Sequence, residues 1–153
     1  MSLDGSPEVV FMFPKETKIL IVDDMNVMRR LVSSLLQELG FLSVVEAFDG
    51  GDAWNKLQKA ASSGSPFQLV ISDWNMPRLM GIDLLRRLRQ SEVYSQIPFI
   101  MLTAENDQES VRESAEAGVT CHLAKPFQID DLREQLRIAY EKCQQQGSNR
   151  SAS

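Results

Sequence analysis

Asp23 and Asp24 form an acidic pair directly behind the apolar run Lys18-Ile19-Leu20-Ile21-Val22. Three more chemically capable residues stand in the same relation to short apolar runs: Asp73 after Leu69–Ser72, Thr103 after Phe99–Leu102, and Lys125 just beyond Cys121–Leu123. Carboxylates brought close together repel and raise one another's pKa unless a cation offsets them. Mg²⁺ suits such a group, because it takes oxygen ligands, keeps waters, and often uses one or two carboxylates together with phosphate oxygens. On this reading Asp24 and Asp73 are direct ligands, Asp23 acts through water, and the backbone carbonyl of Asn75 completes the protein's share. Lys125 adds a second positive charge and Thr103 a hydroxyl donor. Phosphoryl transfer asks for this combination, positioning plus charge stabilisation around a nucleophilic oxygen. Asp73, central among the group, is the nucleophile.

Taken singly, each residue has an ordinary structural role. An Asp-Asp after a strand is commonly a solvated loop or a helix cap, a Lys-Pro is commonly a turn, and a Thr after a strand is unremarkable. What gives the set meaning is the framework that must position it. Lys18–Val22 is apolar without alternation, as in a strand buried on both faces. Met28, Leu31, Val32, Leu35, Leu36 and Leu39 then recur at helical spacing, with Arg29, Arg30, Ser33, Gln37 and Glu38 on the other face and Gly40 as the stop. Further strands are expected at Val44–Ala47, Leu69–Ser72, Phe99–Leu102 and, weakly, Cys121–Leu123. Further helices are expected at Gly51–Ala61, Ile82–Gln90, Gln108–Ala117 and Ile129–Cys143. Strand and helix thus alternate, which predicts an α/β fold, a doubly wound five-stranded parallel sheet with helices on both faces. In such sheets function lies outside the carboxyl ends of the strands, where all the residues named above fall. The helix over Gln108–Ala117 has a thin apolar stripe, Val111 and Ala115 with their neighbours, and is expected to pack loosely. Trp74 is expected at the border of the acidic pocket, and Trp54 in packing.

The chain has 153 residues, about one domain. Sixteen basic against twenty-one acidic residues give a net charge of −5, which argues against a nucleic-acid binder. Cys121 and Cys143 have no Cys-x-x-Cys spacing, which argues against a disulfide scaffold or zinc site and for a reducing, cytoplasmic setting. No apolar run approaches the ~20 residues needed to span a bilayer, so membrane insertion is not expected. Residues 1–14, broken by Gly5, Pro7 and Pro14, read as a flexible leader, although Val9–Phe13 offers apolar side chains that could pack. Residues 15–143 read as the domain. Residues 144–153, polar and small, read as a disordered tail.

The motifs Val22-Asp23-Asp24, Met28-Arg29-Arg30, Ser72-Asp73-Trp74-Asn75-Met76-Pro77, Thr103-Ala104-Glu105 and Lys125-Pro126-Phe127, over about Lys15 to Lys142, resemble the response-regulator receiver family. The likeness is greatest to its single-domain chemotaxis members. The resemblance, rather than any derivation, implies a flavodoxin-like strand order 2-1-3-4-5. It also implies that Asp73 accepts a phosphoryl group from the phosphohistidine of a sensor kinase, that Asp23 and Asp24 hold Mg²⁺, and that Thr103 and Lys125 contact the phosphate. A cis Lys125–Pro126 bond, and an influence of Asn75 and Glu105 on how fast water removes the phosphate, follow in the same way. So does output by protein–protein contact, with the flagellar motor switch as a target. The family is not enzymatic in the ordinary sense, since a member promotes only its own phosphorylation and dephosphorylation. Met80-Gly81 departs from the family's usual Asp-Gly, and Met cannot cap the following helix as Asp does, a loss of ~0.5–2 kcal/mol. The extra length between Asp24 and Asp73 is expected in the loop around Ala60–Pro66.

His122, the only histidine, occupies a place that is usually aromatic in the family. It is expected to act with Thr103 as a two-state switch element, and its reference pKa near ~6.5 would make the switch pH-sensitive. A half-exposed histidine without coupling is the plainer alternative. Three other functional readings compete: a receiver excised from a hybrid kinase or longer regulator, a Mg²⁺-dependent aspartyl-nucleophile phosphatase, and a flavin or nucleotide binder. The phosphatase reading expects a second carboxylate two places after the nucleophile, where this chain has Asn75. The nucleotide reading expects a Gly-rich loop after the first strand, where there is none.

Overall fold

Ile19, Leu20, Ile21 and Val22 are all fully buried, so the lack of alternation in the first apolar run reflects a strand covered on both sides. The computed structural model describes residues 12–104 and 107–152, with side chains described as far as Gln145. Among these, strands and helices alternate as β1 (Lys18–Val22), α1 (Asn26–Glu38), β2 (Ser43–Ala47), α2 (Gly50–Ser62), β3 (Leu69–Asp73), α3 (Gly81–Arg89), β4 (Phe99–Ala104), α4 (Gln108–Glu116), β5 (Cys121–Lys125) and α5 (Ile129–Ala152). All strand pairs are parallel and the spatial order is β2-β1-β3-β4-β5. This is the expected doubly wound sheet in the expected order.

Alternate strand residues feed two cores. Ile19, Ile21, Leu69, Ile71, Ile100, Leu102 and Leu123 pack with Val32 and Leu36 of α1 and Leu132, Leu136 and Ala139 of α5. Leu20, Val22, Val70, Phe99 and Met101 pack with Ala53 and Leu57 of α2 and Leu84, Leu85 and Leu88 of α3. The period of two along each strand thus sorts helices to opposite layers. Trp54 packs against the second core, as expected, with the guanidinium of Arg87 over its ring.

Two boundaries differ from expectation. Phe13 is only 8% exposed and meets Tyr140 of α5 edge-on at 5.3 Å, so the packed domain begins before Lys15. The rest of the expected leader, up to Phe11, lies outside the described residues. At the other end α5 continues as helical backbone to Ala152, past the boundary expected at Cys143. Its backbone donors and acceptors are paired along the helix there, an option that composition alone does not reveal.

Helix starts decide how the rim of the sheet is built. Asp49 caps α2 by accepting from Asp52 N–H at 2.7 Å, and Asp107 caps α4 by accepting from Ser110 N–H at 3.1 Å. Met80 at the start of α3 makes no side-chain cap, as expected. Asp83 compensates in part, its carboxylate accepting the Met80 N–H at 3.3 Å. Gly81 N–H donates to Trp74 O at 3.0 Å, and a Cβ on Gly81 would stand 2.1 Å from the carbonyl oxygen of Asp73. The helix can approach the end of β3 this closely only because that residue has no side chain.

Candidate functional site

The carboxyl ends of β1, β3 and β5 bring their polar residues to one point. Carboxylate oxygens of Asp23, Asp24 and Asp73 all lie within 4.8 Å of one another. Lys125, the last residue of β5, places Nζ 2.9 Å from Asp73 Oδ1 and 3.8 Å from Asp23 Oδ2. It follows that β5, the weakest strand in the sequence, delivers the one cation paired with this cluster among the described residues. The Lys125–Pro126 bond is cis.

Asp23 is wholly buried while Asp24 is exposed, although they are neighbours. Asp23 continues the β1 pairing, its N–H donating to Ala47 O at 3.2 Å, so its side chain turns inward. Its Oδ1 accepts the Met25 N–H at 2.9 Å, an Asx-type turn that swings Asp24 outward. Its Oδ2 is buried with no hydrogen-bond partner. Burial raises the Asp23 carboxyl above its ordinary value; Asp73 and Asp24 add to this, while the Met25 N–H and Lys125 oppose it. Three carboxylates facing one ammonium, with a buried oxygen left over, form an oxygen-only donor set whose charge a divalent cation would balance. The residues therefore fit Mg²⁺.

An open cleft of about 770 Å³ sits over the cluster. Asp24, Asp73, Asn75 and Lys125 give it polar walls, and Met25, Met28, Trp74 and Pro126 give it apolar ones. Thr103 is buried on β4 between Leu102 and Ala104, both of which line the cleft. Asn75 is exposed at the rim. Glu105 lies outside the described residues. His122 is half-buried on β5 and faces α4, where its Nε2 is hydrogen-bonded to Ser114 Oγ. Burial, and secondarily the charge of Lys142, hold its pKa below the ordinary imidazole value.

Asp107 also lines the cleft, a position the sequence signals only as a helix N-cap before Gln108. Arg29 is the larger surprise. The periodicity of α1 assigns it to the polar outer face, yet its Nη1 donates to the carbonyl oxygen of Asp23 at 2.7 Å and its Nε lies 3.4 Å from Glu46 of β2. A long flexible side chain can leave the direction its Cα suggests, and periodicity cannot show that.

Among relatives, chemotaxis protein CheY-3 of Vibrio cholerae serotype O1 is 44% identical over 128 residues, covering 84% of this chain and 95% of that protein. Chemotaxis protein CheY of Pseudomonas aeruginosa is 42% identical over 125 residues, covering 82% of this chain and 97% of that protein. Among solved structures, CheY4 of Vibrio cholerae superposes with a TM-score of 0.72 at 36% identity, over 81% of this chain and 98% of that one. A receiver domain protein from Clostridium thermocellum superposes with a TM-score of 0.72 at 25% identity, covering 82% and 95%. Residues 19–137, from the second residue of β1 into α5, match the response regulator receiver domain. The acidic rim and the sheet that builds it lie inside this match, and the chain belongs to the response regulator receiver domain family.

Proposed function

We propose that the chain is a phosphoacceptor switch in which Asp73 takes a phosphoryl group from the phosphohistidine of a sensor histidine kinase. The observation that carries this is the ammonium of Lys125 at 2.9 Å from Asp73 Oδ1, beside the unpartnered buried oxygen of Asp23. A carboxylate oxygen of Asp73 attacks phosphorus, the P–N bond to the kinase imidazole breaks as the new P–O bond forms, and the imidazole leaves with the electron pair. Lys125 stabilises the charge on the phosphoryl oxygens, and the Thr103 hydroxyl donates to one of them. Asp23, Asp24, Asp73 and the backbone carbonyl of Asn75 would hold Mg²⁺, which supplies further positive charge to the phosphoryl oxygens. Asn75 and Glu105 tune loss of the phosphate to water. The protein thus acts on its own phosphorylation state rather than turning over an external substrate.

Output is by protein–protein contact, with Thr103 and His122 as switch residues. Likeness to chemotaxis proteins over nearly their whole length supports a chemotaxis-type role, with the flagellar motor switch as a target, in the cytoplasm. No helix among the described residues is long and apolar enough to cross a membrane. Incubation with Mg²⁺ and acetyl phosphate, read by intact mass, tests the assignment. One added phosphoryl group in wild type and none in Asp73→Asn is expected. Equal labelling of both proteins, or steady hydrolysis of an added phosphomonoester, would overturn it.

A further inference from the structure

We propose that Arg29 is a positioning residue that holds the Asp23–Asp24 turn in its cation-binding shape; this rests on the Mg²⁺ reading above. Its side chain is only 15% exposed although it stems from the polar face of α1. The guanidinium bonds in three directions: to the Asp23 carbonyl oxygen at 2.7 Å, to Glu46 of the edge strand β2 at 3.4 Å, and to Asn26 Oδ1 at the start of α1. A planar guanidinium spreads its fixed donors over three nitrogens and so reaches three separated partners, whereas an ammonium gathers its donors on one atom. The consequence for Asp23 is specific. Its N–H is taken by Ala47 O, its carbonyl by Arg29 and its Oδ1 by Met25 N–H, so Oδ2 is the atom left open toward Asp73 and Lys125. Removing Arg29 frees the carbonyl, and with it the peptide that joins the two acidic residues.

Charge alone predicts the opposite outcome. Arg29 is a cation near a cation site, so deleting it should tighten Mg²⁺ binding if only its field mattered. Positioning predicts weakening, because groups that orient metal ligands typically change affinity by about 10–100-fold when removed. Arg30, the next residue, is exposed and has no ion pair among the described residues, so Arg30→Ala removes the same charge without the contact.

Calorimetric titration of MgCl₂ into wild type, Arg29→Ala, Arg29→Lys and Arg30→Ala tests this, with circular dichroism and melting to verify folding. Amide exchange at Met25 in the metal-free proteins supplies a readout that needs no metal. Expected are about tenfold or greater weakening in Arg29→Ala, a smaller loss in Arg29→Lys, no loss in Arg30→Ala, and faster Met25 exchange only in the Arg29 variants. If Arg29→Ala does not fold, the Arg29→Lys comparison decides. Binding by the folded Arg29 variants as tight as wild type, or tighter, overturns the proposal while leaving the Mg²⁺ reading intact. Absence of Mg²⁺ binding by wild type overturns both.

Discussion

α3 and α4 are each nine residues long and touch one another, yet they are held by different chemistry. α3 buries Ile82, Leu84, Leu85 and Leu88; the buried residues of α4 are Ser110 and Ser114. Complete burial of a leucine contributes roughly 1.5–3 kcal/mol, whereas a hydrogen bond contributes about 0.5–1.5 kcal/mol net. α3 is therefore riveted in place, and through Gly81 its first turn presses on the carbonyl of the phosphoacceptor candidate Asp73. Across to neighbouring elements α4 is held by the Ser114 hydroxyl, which meets His122 of β5, and by Arg86 of α3, 3.5 Å from Glu113. The Ser114 bonds to Ser110 O and Val111 O and the Asp107 cap lie within the helix itself. Elements with few buried apolar contacts open at lower free energy. The firmly packed helix backs the chemistry, and the lightly packed one lies over the candidate switch residue His122.

The firmly held half of this contrast is tested first at Gly81, where the effect reaches both the fold and the labelling of Asp73. Gly81→Ala sets a methyl group against Asp73 O, so α3 or the end of β3 must shift. Denaturant unfolding is expected to show a loss of about 3 kcal/mol, with Asp73 labelling by acetyl phosphate reduced in the remaining folded protein. Next come matched truncations within the two helices. Leu85→Ala is expected to lose about 2–5 kcal/mol, while Val111→Ala on α4, already 37% exposed, should stay within about 0.5 kcal/mol. Similar losses for both would mean that α4 is as firmly packed as α3.

The smallest effect is a pH slope at the α4 contact. His122 is held below its ordinary pKa in the fold, so just below the unfolded value near ~6.5 the unfolded chain binds more protons than the native one. Its contribution to stability is therefore complete above about pH 6.5 and is lost as pH falls toward the folded pKa. The difference in stability between wild type and His122→Phe should show that slope, and be level at higher pH. A flat difference across mildly acidic pH would separate His122 from α4 energetically.

Much of this molecule is legible in the sequence, and the failures follow a pattern. Unbroken apolar runs mark buried strands, and the i, i+3, i+4 recurrence marks α1, because both periods come from backbone geometry local to a few residues. The rim was legible because in a parallel sheet every strand's carboxyl end is on one side, so Asp23, Asp24, Asp73 and Lys125 share an edge. That they meet at one point depends on the strand order, which only the family resemblance implied. The α4 stripe misled. Val111 and Ala115 look like its inner face, yet both are exposed and the serines face inward, since a serine can satisfy its hydroxyl on its own helix and on His122. Hydropathy ranks a serine below a valine and has no way to count acceptors waiting for it.

Sequence alone therefore determined the order of elements and the rim where chemistry gathers, because these depend on periodicity and chain direction. Only tertiary structure decided that Asp23 is buried while Asp24 is exposed and that Arg29 folds back onto a main-chain carbonyl. Each of those depends on which partner lies within about 3 Å of a donor or acceptor, and a one-dimensional pattern does not contain that distance.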